Sequence, residues 1–342
     1  MTSLRARPAS LHGARTLVLS PHLDDALLSA TAFVLTDPSD VWTVFAGRPH
    51  PPRTTSWDEI CGFADSDETL TARVAEDTAA FADTPARVRR LDALEGPYVE
   101  RDVRVEQLRD VRADIERWLD ENGANTLVLA PAGAGIKVPD APWAPLQRRL
   151  AGLRATSSAG STPPPEEATA DEPVVDTGTS EGPKIHSHGS AIAGRIKRAV
   201  RGGVRVPLAL ARRALHAEHV GRRRRAAKGG RLAANPDHLA LRDLVLDLAD
   251  ERPDMTVVLY EELPYLWHGS ADAAVARICA ARGMKATGWS EQIDTDLKFT
   301  HLRHYTSQMP VMDTAGRLLA ARHLPTRERY WLLTPSSSPT PS

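Results

Sequence analysis

The chain has 342 residues, 42% hydrophobic and 25% charged, which excludes a collagen-like, wholly disordered or disulfide-stapled protein and leaves room for two domains or one interrupted α/β domain. Its 43 lysines and arginines against 44 aspartates and glutamates give a net charge of −1, so the whole molecule has no field to draw in nucleic acid or an anionic membrane. Only two cysteines, Cys61 and Cys279, are present, which excludes a disulfide framework and a four-thiolate metal site; they read as buried thiols in a reducing, cytoplasmic setting.

The stretch from Met1 to Arg15 is polar and dotted with arginine, unlike a secretory leader. Residues 16–20 form a short apolar strand that ends in a proline turn, and a helix of small and apolar residues is expected from Asp24. The apolar run from Ala26 to Leu35 is about half the ~20 residues needed to span a bilayer. A second strand is expected over 41–46, amphipathic helices over 67–82 and 102–121, and a strand over 125–131 that runs into Pro-Ala-Gly-Ala-Gly.

Beyond that point the composition changes twice. Residues 156–185 are rich in Ser, Thr, Pro and acids and carry too few apolar groups to offset the entropy of ordering, so they read as disordered. Residues 195–231 are strongly basic, with Pro207 suited to a helix start and Leu208, Ala211, Leu215 and His219 at helical spacing. This block reads as a solvated cationic helix tied to the acidic linker before it, or as a peripheral contact with an anionic surface. It lacks the interleaved aromatics of a nucleic-acid tail. The α/β rhythm then resumes, with helices over 238–250, 271–282 and 291–308 and strands over 255–260 and 327–333. The pattern predicts one domain over 14–135 and 233–333, an insertion over 136–232 and a disordered tail over 334–342.

Chemistry concentrates in two segments. Ser20-Pro21-His22-Leu23-Asp24-Asp25 places an imidazole and two adjacent carboxylates at the carboxyl end of the first strand, where open α/β sheets bind ligands. His22 and Asp25 can converge on a divalent cation, leaving Asp24 as a base; alternatively the two aspartates cap the helix. Asn235-Pro236-Asp237-His238 opens a later helix, with Asn or Asp as its cap and His238 presented as a third ligand or held structurally. Two imidazoles, one carboxylate and an open position suit catalytic zinc. No glycine-rich phosphate loop follows the first strand, and Ser307 has no nucleophile elbow. His186 and His188 read as solvated, and His301 and His304 as surface or packing residues.

Together the two segments resemble the PIG-L-type (LmbE-like) metal-dependent N-deacetylases, in which Pro-His-x-Asp-Asp follows the first strand and an x-x-Asp-His segment comes later. Further segments resemble the family in the same order: Trp57-Asp58 with Cys61-Gly62-Phe63, Arg73 with Glu76-Asp77, Leu129-Ala130-Pro131, Tyr260 to Tyr265, and Tyr305 to Gln308 after Lys298. The resemblance implies a Rossmann-like three-layer α/β/α fold with a mostly parallel sheet, and Zn2+ or another divalent metal held by His22, Asp25 and His238. Asp24 would be the general base. Arg73 would contact the substrate, against the simpler reading of an ion pair with Glu76 or Asp77 on a helix surface. The implied substrate is an acetamido sugar or glycoconjugate of the N-acetylglucosamine type, or an amide in a thiol conjugate. Many members carry histidine where this chain has Asn235, which can donate a hydrogen bond to an oxyanion but cannot shuttle a proton. That departure points to slower turnover, a different proton donor or an inactive descendant that still binds metal. Asp237 would orient a ligand imidazole.

Overall fold

Continuous apolar runs make the middle of a seven-stranded sheet. β1 (Arg15–Ser20), β2 (Ser39–Thr43), β4 (Thr126–Pro131) and β5 (Thr256–Tyr260) are almost wholly buried, as expected for parallel strands covered on both faces. The computed structural model describes residues 6–133, 234–268, 270–313 and 315–336. With edge strands β3 (Arg87–Arg90) and β6 (Met284–Gln292), the strand order is β3-β2-β1-β4-β5-β7-β6, with the first five strands parallel and β7 (Arg327–Pro335) antiparallel to both of its neighbours.

Alternation along each strand divides the core. Leu17, Leu19, Val128 and Ala130 point to one face, against α5 (Arg101–Asn122), α6 (Pro236–Glu251) and α7 (Asp272–Arg282). Val18, Leu127, Leu129 and Val258 point to the other. There they meet α1 (Asp25–Ser29), α2 (Thr31–Val34), the end of α4 (Ser66–Phe81) and α8 (Thr295–Leu302). The result is the expected three-layer α/β/α arrangement. Its chain order reverses between β1 and β4, which opens a crevice at their carboxyl ends.

Several sequence expectations change. The edge strands β3 (Arg87–Arg90) and β6 (Met284–Gln292) were not anticipated. In β3 the arginines disguise the strand: Arg87 pairs with Asp40, Arg89 with Asp114 and Arg90 with Asp77, while Val88 sits in register with Val41. In β6 a mixed sequence containing Gly288 pairs along its whole length with β7. The helix expected over 291–308 is therefore wrong at both ends. Residues 291 and 292 finish β6, and Asp294 caps α8 by accepting from the Asp296 and Leu297 N–H groups at 3.0 and 2.9 Å. The chain turns after Leu302 and makes a separate turn of helix, α9 (Met309–Met312). A short helix, α3 (Ser56–Cys61), also precedes α4. Cys61 and Cys279 are half-buried free thiols rather than fully buried ones. His301 is a packing residue whose Nδ1 lies 2.8 Å from the Ala80 carbonyl.

The insertion expected over 136–232, with its basic block and proposed surface contact, lies outside the described residues, as does the tail beyond 336; Thr334 and Pro335, expected in that tail, instead finish β7. No helix among the described residues is long and apolar enough to cross a membrane.

One buried ion pair anchors the helices behind the crevice. Lys298 Nζ lies 2.6 Å from Glu328 Oε1 and donates to the Leu28 carbonyl at 2.7 Å; Glu328 also accepts from the Ala32 N–H and the Tyr330 hydroxyl. Replacing Lys298 with methionine strands a buried carboxylate, so denaturant unfolding should show a loss of about 3–5 kcal/mol.

Candidate metal centre

The first loop is shaped by Ser20, whose hydroxyl donates to the His22 carbonyl at 2.7 Å and accepts from the Ala26 N–H at 3.0 Å. This folds Pro21 to Asp24 tightly over the end of β1 and starts α1 at Asp25. The Asp25 carboxylate turns back, its Oδ2 accepting from the His22 backbone N–H at 2.9 Å and lying 3.0 Å from His22 Nδ1. Asp24 occupies the N-cap position, yet its side chain makes no capping hydrogen bond. Capping therefore does not account for either carboxylate.

The second segment arrives from α6. Asn235 is the cap: its Oδ1 accepts from the Asp237 N–H at 2.9 Å, Pro236 occupies the first turn, and His238 is carried inward to 2% exposure. Its Nε2 lies 3.2 Å from the same Asp25 Oδ2 that faces His22. The two imidazole centroids are 5.3 Å apart. The ligand atoms of His22, Asp25 and His238 lie within 4.8 Å of one another, and among the described residues this is the cluster able to hold a metal ion. Its donor set, two imidazoles and one carboxylate, fits Zn2+ or another divalent cation and leaves a coordination position open.

Each imidazole is backed by a second carboxylate. His22 Nε2 lies 3.1 Å from Asp237 Oδ2, and His238 Nδ1 lies 3.3 Å from Glu262 Oε1. Asp237 is itself held by the Gly96 N–H at 2.9 Å and by Arg104 at 2.6 Å, and Arg104 stacks over Phe45. A Cβ at Gly96 would lie 3.1 Å from Asp237 Oδ1, a contact tight enough that the carboxylate would have to shift by a few tenths of an ångström.

Arg73 reaches the site from α4, 4% exposed, so the helix-surface ion pair does not form. Its Nη1 donates to Glu95 Oε1 and its Nη2 lies 3.9 Å from Asp24 Oδ2. Asp77 instead pairs with Arg90 and Tyr305, and Glu76 accepts from Thr306 and Ser307.

The electrostatics follow from burial and crowding. Burial pushes the Asp24 carboxyl up and the adjacent Asp25 pushes it further, to about 7, against the pull of Arg73. Burial acts upward on Asp25 too, but the facing His238 and His22 outweigh it and hold that carboxyl well below the usual range. Burial would lower His238, yet Asp25 and Glu262 raise it to about 9. In Asp237, likewise, the hydrogen bond and charge of His22 outweigh burial and lower the pKa.

Sequence reasoning missed Glu95, Arg104 and Glu262. Glu262 lies in the Tyr260 to Tyr265 segment at a strand end, a signal that could have marked it. Arg104 sits between the exposed Val103 and Val105 and carries no signal. The other resembling segments are structural: Asp58 is fully buried and accepts from Thr69 at 2.7 Å and from Tyr98, while Trp57 Nε1 donates to Gln308 at 3.2 Å.

No family model and no curated protein matches the sequence. Solved structures do match. Teicoplanin deacetylase in a zinc-inhibited form aligns over 95% of this chain and 100% of its own, with a TM-score of 0.55 and 18% identity. A deacetylase–teicoplanin complex gives 0.51 and 20% with the same coverage. The A40926 pseudoaglycone deacetylase gives 0.50 and 19% over 95% of this chain and 99% of its own. At these identities the likeness is one of fold.

Proposed function

We propose that the protein is a metal-dependent amide hydrolase that removes an N-acetyl group from an N-acetylglucosamine-type sugar or glycoconjugate. The observation that carries this reading is the convergence of His22 Nδ1 and His238 Nε2 on one oxygen of Asp25, with the Asp24 carboxylate beside them and outside any helix cap. A divalent cation held by His22, Asp25 and His238 would supply Lewis acidity toward an amide carbonyl and an attacking water.

The chain's own residues then divide the work. Asp24 takes the proton from the attacking water and returns it to the departing nitrogen. Arg73, steadied by Glu95, faces Asp24 and contacts the substrate. Asn235 Oδ1 accepts in the helix cap, and its NH2 group could donate to a developing oxyanion but cannot shuttle a proton, so proton return falls to Asp24. Similarity in fold to enzymes that deacetylate teicoplanin and the A40926 pseudoaglycone supports a glycoconjugate over a free sugar. The two unpaired thiols support a cytoplasmic setting.

A second reading, a catalytically weakened metal-binding module, is favoured by Asn235 alone. The test is acetate release by zinc-loaded protein across a panel of N-acetylglucosamine derivatives. Release from at least one member is expected. Retained zinc with no acetate from any member would favour the binding module.

A further inference from the structure

We infer that Glu262 is a positioning residue that sets His238 to present Nε2 to the cation and joins the two chain segments flanking residues 134–233; the inference rests on the metal-site reading above.

Glu262 follows β5 directly and is 1% exposed. Its Oε1 accepts from the Gly133 N–H at 2.8 Å and faces His238 Nδ1 at 3.3 Å. Its Oε2 is buried with no hydrogen-bond partner among the described residues. A carboxylate excluded from water is costly unless it is engaged, so its retention against an imidazole argues for a specific use.

That use follows from imidazole chemistry. A neutral ring has one donor and one acceptor nitrogen, and a partner that can only accept fixes the proton on the nitrogen it faces. Asp25 also faces Nε2, at 3.2 Å, but it would itself be a ligand to the cation, so Glu262 is the acceptor left to hold the ring proton on Nδ1 and leave the Nε2 lone pair for the cation. His22 is arranged the opposite way round, with Asp237 on Nε2 and Nδ1 turned inward. Each histidine thus has its own carboxylate, and the two carboxylates select different nitrogens.

Glu262 also solves a problem of chain geometry. In most α/β folds a short turn fixes the first residues of a helix relative to the strand before it. Here β4 ends at Pro131 and α6 begins at Pro236. Oε1 of Glu262 reaches both Gly133 and His238, and so fixes the ligand against the end of β4 independently of the intervening sequence. Gly133 has a φ of 67°, and a Cβ there would lie 2.6 Å from Arg242 Nη1 and 2.8 Å from Leu239 Cδ2, so the strand end is pressed against α6.

The experiment is a zinc-affinity series by chelator competition on the full chain, with a thermal melt of each variant. Glu262→Leu should weaken zinc by about 10–100-fold. Glu262→Gln, whose carbonyl still accepts from Nδ1, should stay within about threefold of the wild type, and Glu262→Asp should fall between them. If Glu262→Leu does not fold, Glu262→Asp carries the test, and wild-type affinity in that variant overturns the inference. Equal loss in Glu262→Gln and Glu262→Leu also overturns it, because acceptance rather than charge is the claim. Wild-type protein that binds no zinc removes the metal-site reading as well; wild-type binding with an unaffected Glu262→Leu variant removes this inference alone.

Discussion

Replacing Asp24 with asparagine is expected to lower acetate release by about 10^2- to 10^4-fold while zinc content stays at its wild-type value. The substitution keeps size and shape but removes a carboxylate beside the triad that neither caps a helix nor backs an imidazole. Asp24 is buried, makes no helix cap and meets Arg73 only at 3.9 Å, so little structure depends on its charge. Arg73 keeps Glu95 as its main partner, which limits the cost of losing the Asp24 charge. Acetate measurement and elemental analysis on the same preparation check the outcome. Activity within a few fold of the wild type would remove Asp24 from the proton path.

The second large effect is expected at Asp25. One oxygen of this residue faces three nitrogens: the His22 backbone N–H, His22 Nδ1 and His238 Nε2. Asp25→Ala removes the only anionic ligand and the acceptor that draws the two imidazoles together. Outer carboxylates alone are worth about 10–100-fold in metal affinity, so losing this inner one should cost more than ~100-fold. A wild-type protein at a hundredfold excess of zinc over its dissociation constant gains about 2.7 kcal/mol of stability, and the variant should gain almost none. Thermal melts with and without zinc measure the difference. An undiminished shift in Asp25→Ala would place the metal elsewhere.

What the sequence revealed follows a physical pattern. The central strands were legible because burial on both faces demands uninterrupted apolar runs such as residues 16–20 and 126–130. The edge strands were not, because β3 is arginine-rich and β6 is mixed, and both are recognisable only through their pairing partners. In the site, His22 and Asp25 stood out as polar groups at the end of an apolar strand, and His238 as an imidazole beside a helix cap. The supporting layer was harder to read. Asp237 was expected to orient an imidazole, but its pairing with His22 rather than its neighbour His238 is a product of the tertiary fold. Glu95, Arg104 and Glu262 come from three separate parts of the chain, and no local pattern records their approach to the site.

The convergence of His22, Asp25 and His238 on one cation is tested most directly by a crystal structure of zinc-soaked protein with anomalous data at the zinc edge. The expected result is a single strong peak about 2.0–2.1 Å from His22 Nδ1 and His238 Nε2 and about 2.0–2.2 Å from an Asp25 oxygen. A zinc-saturated crystal with no peak between these three side chains would contradict the account.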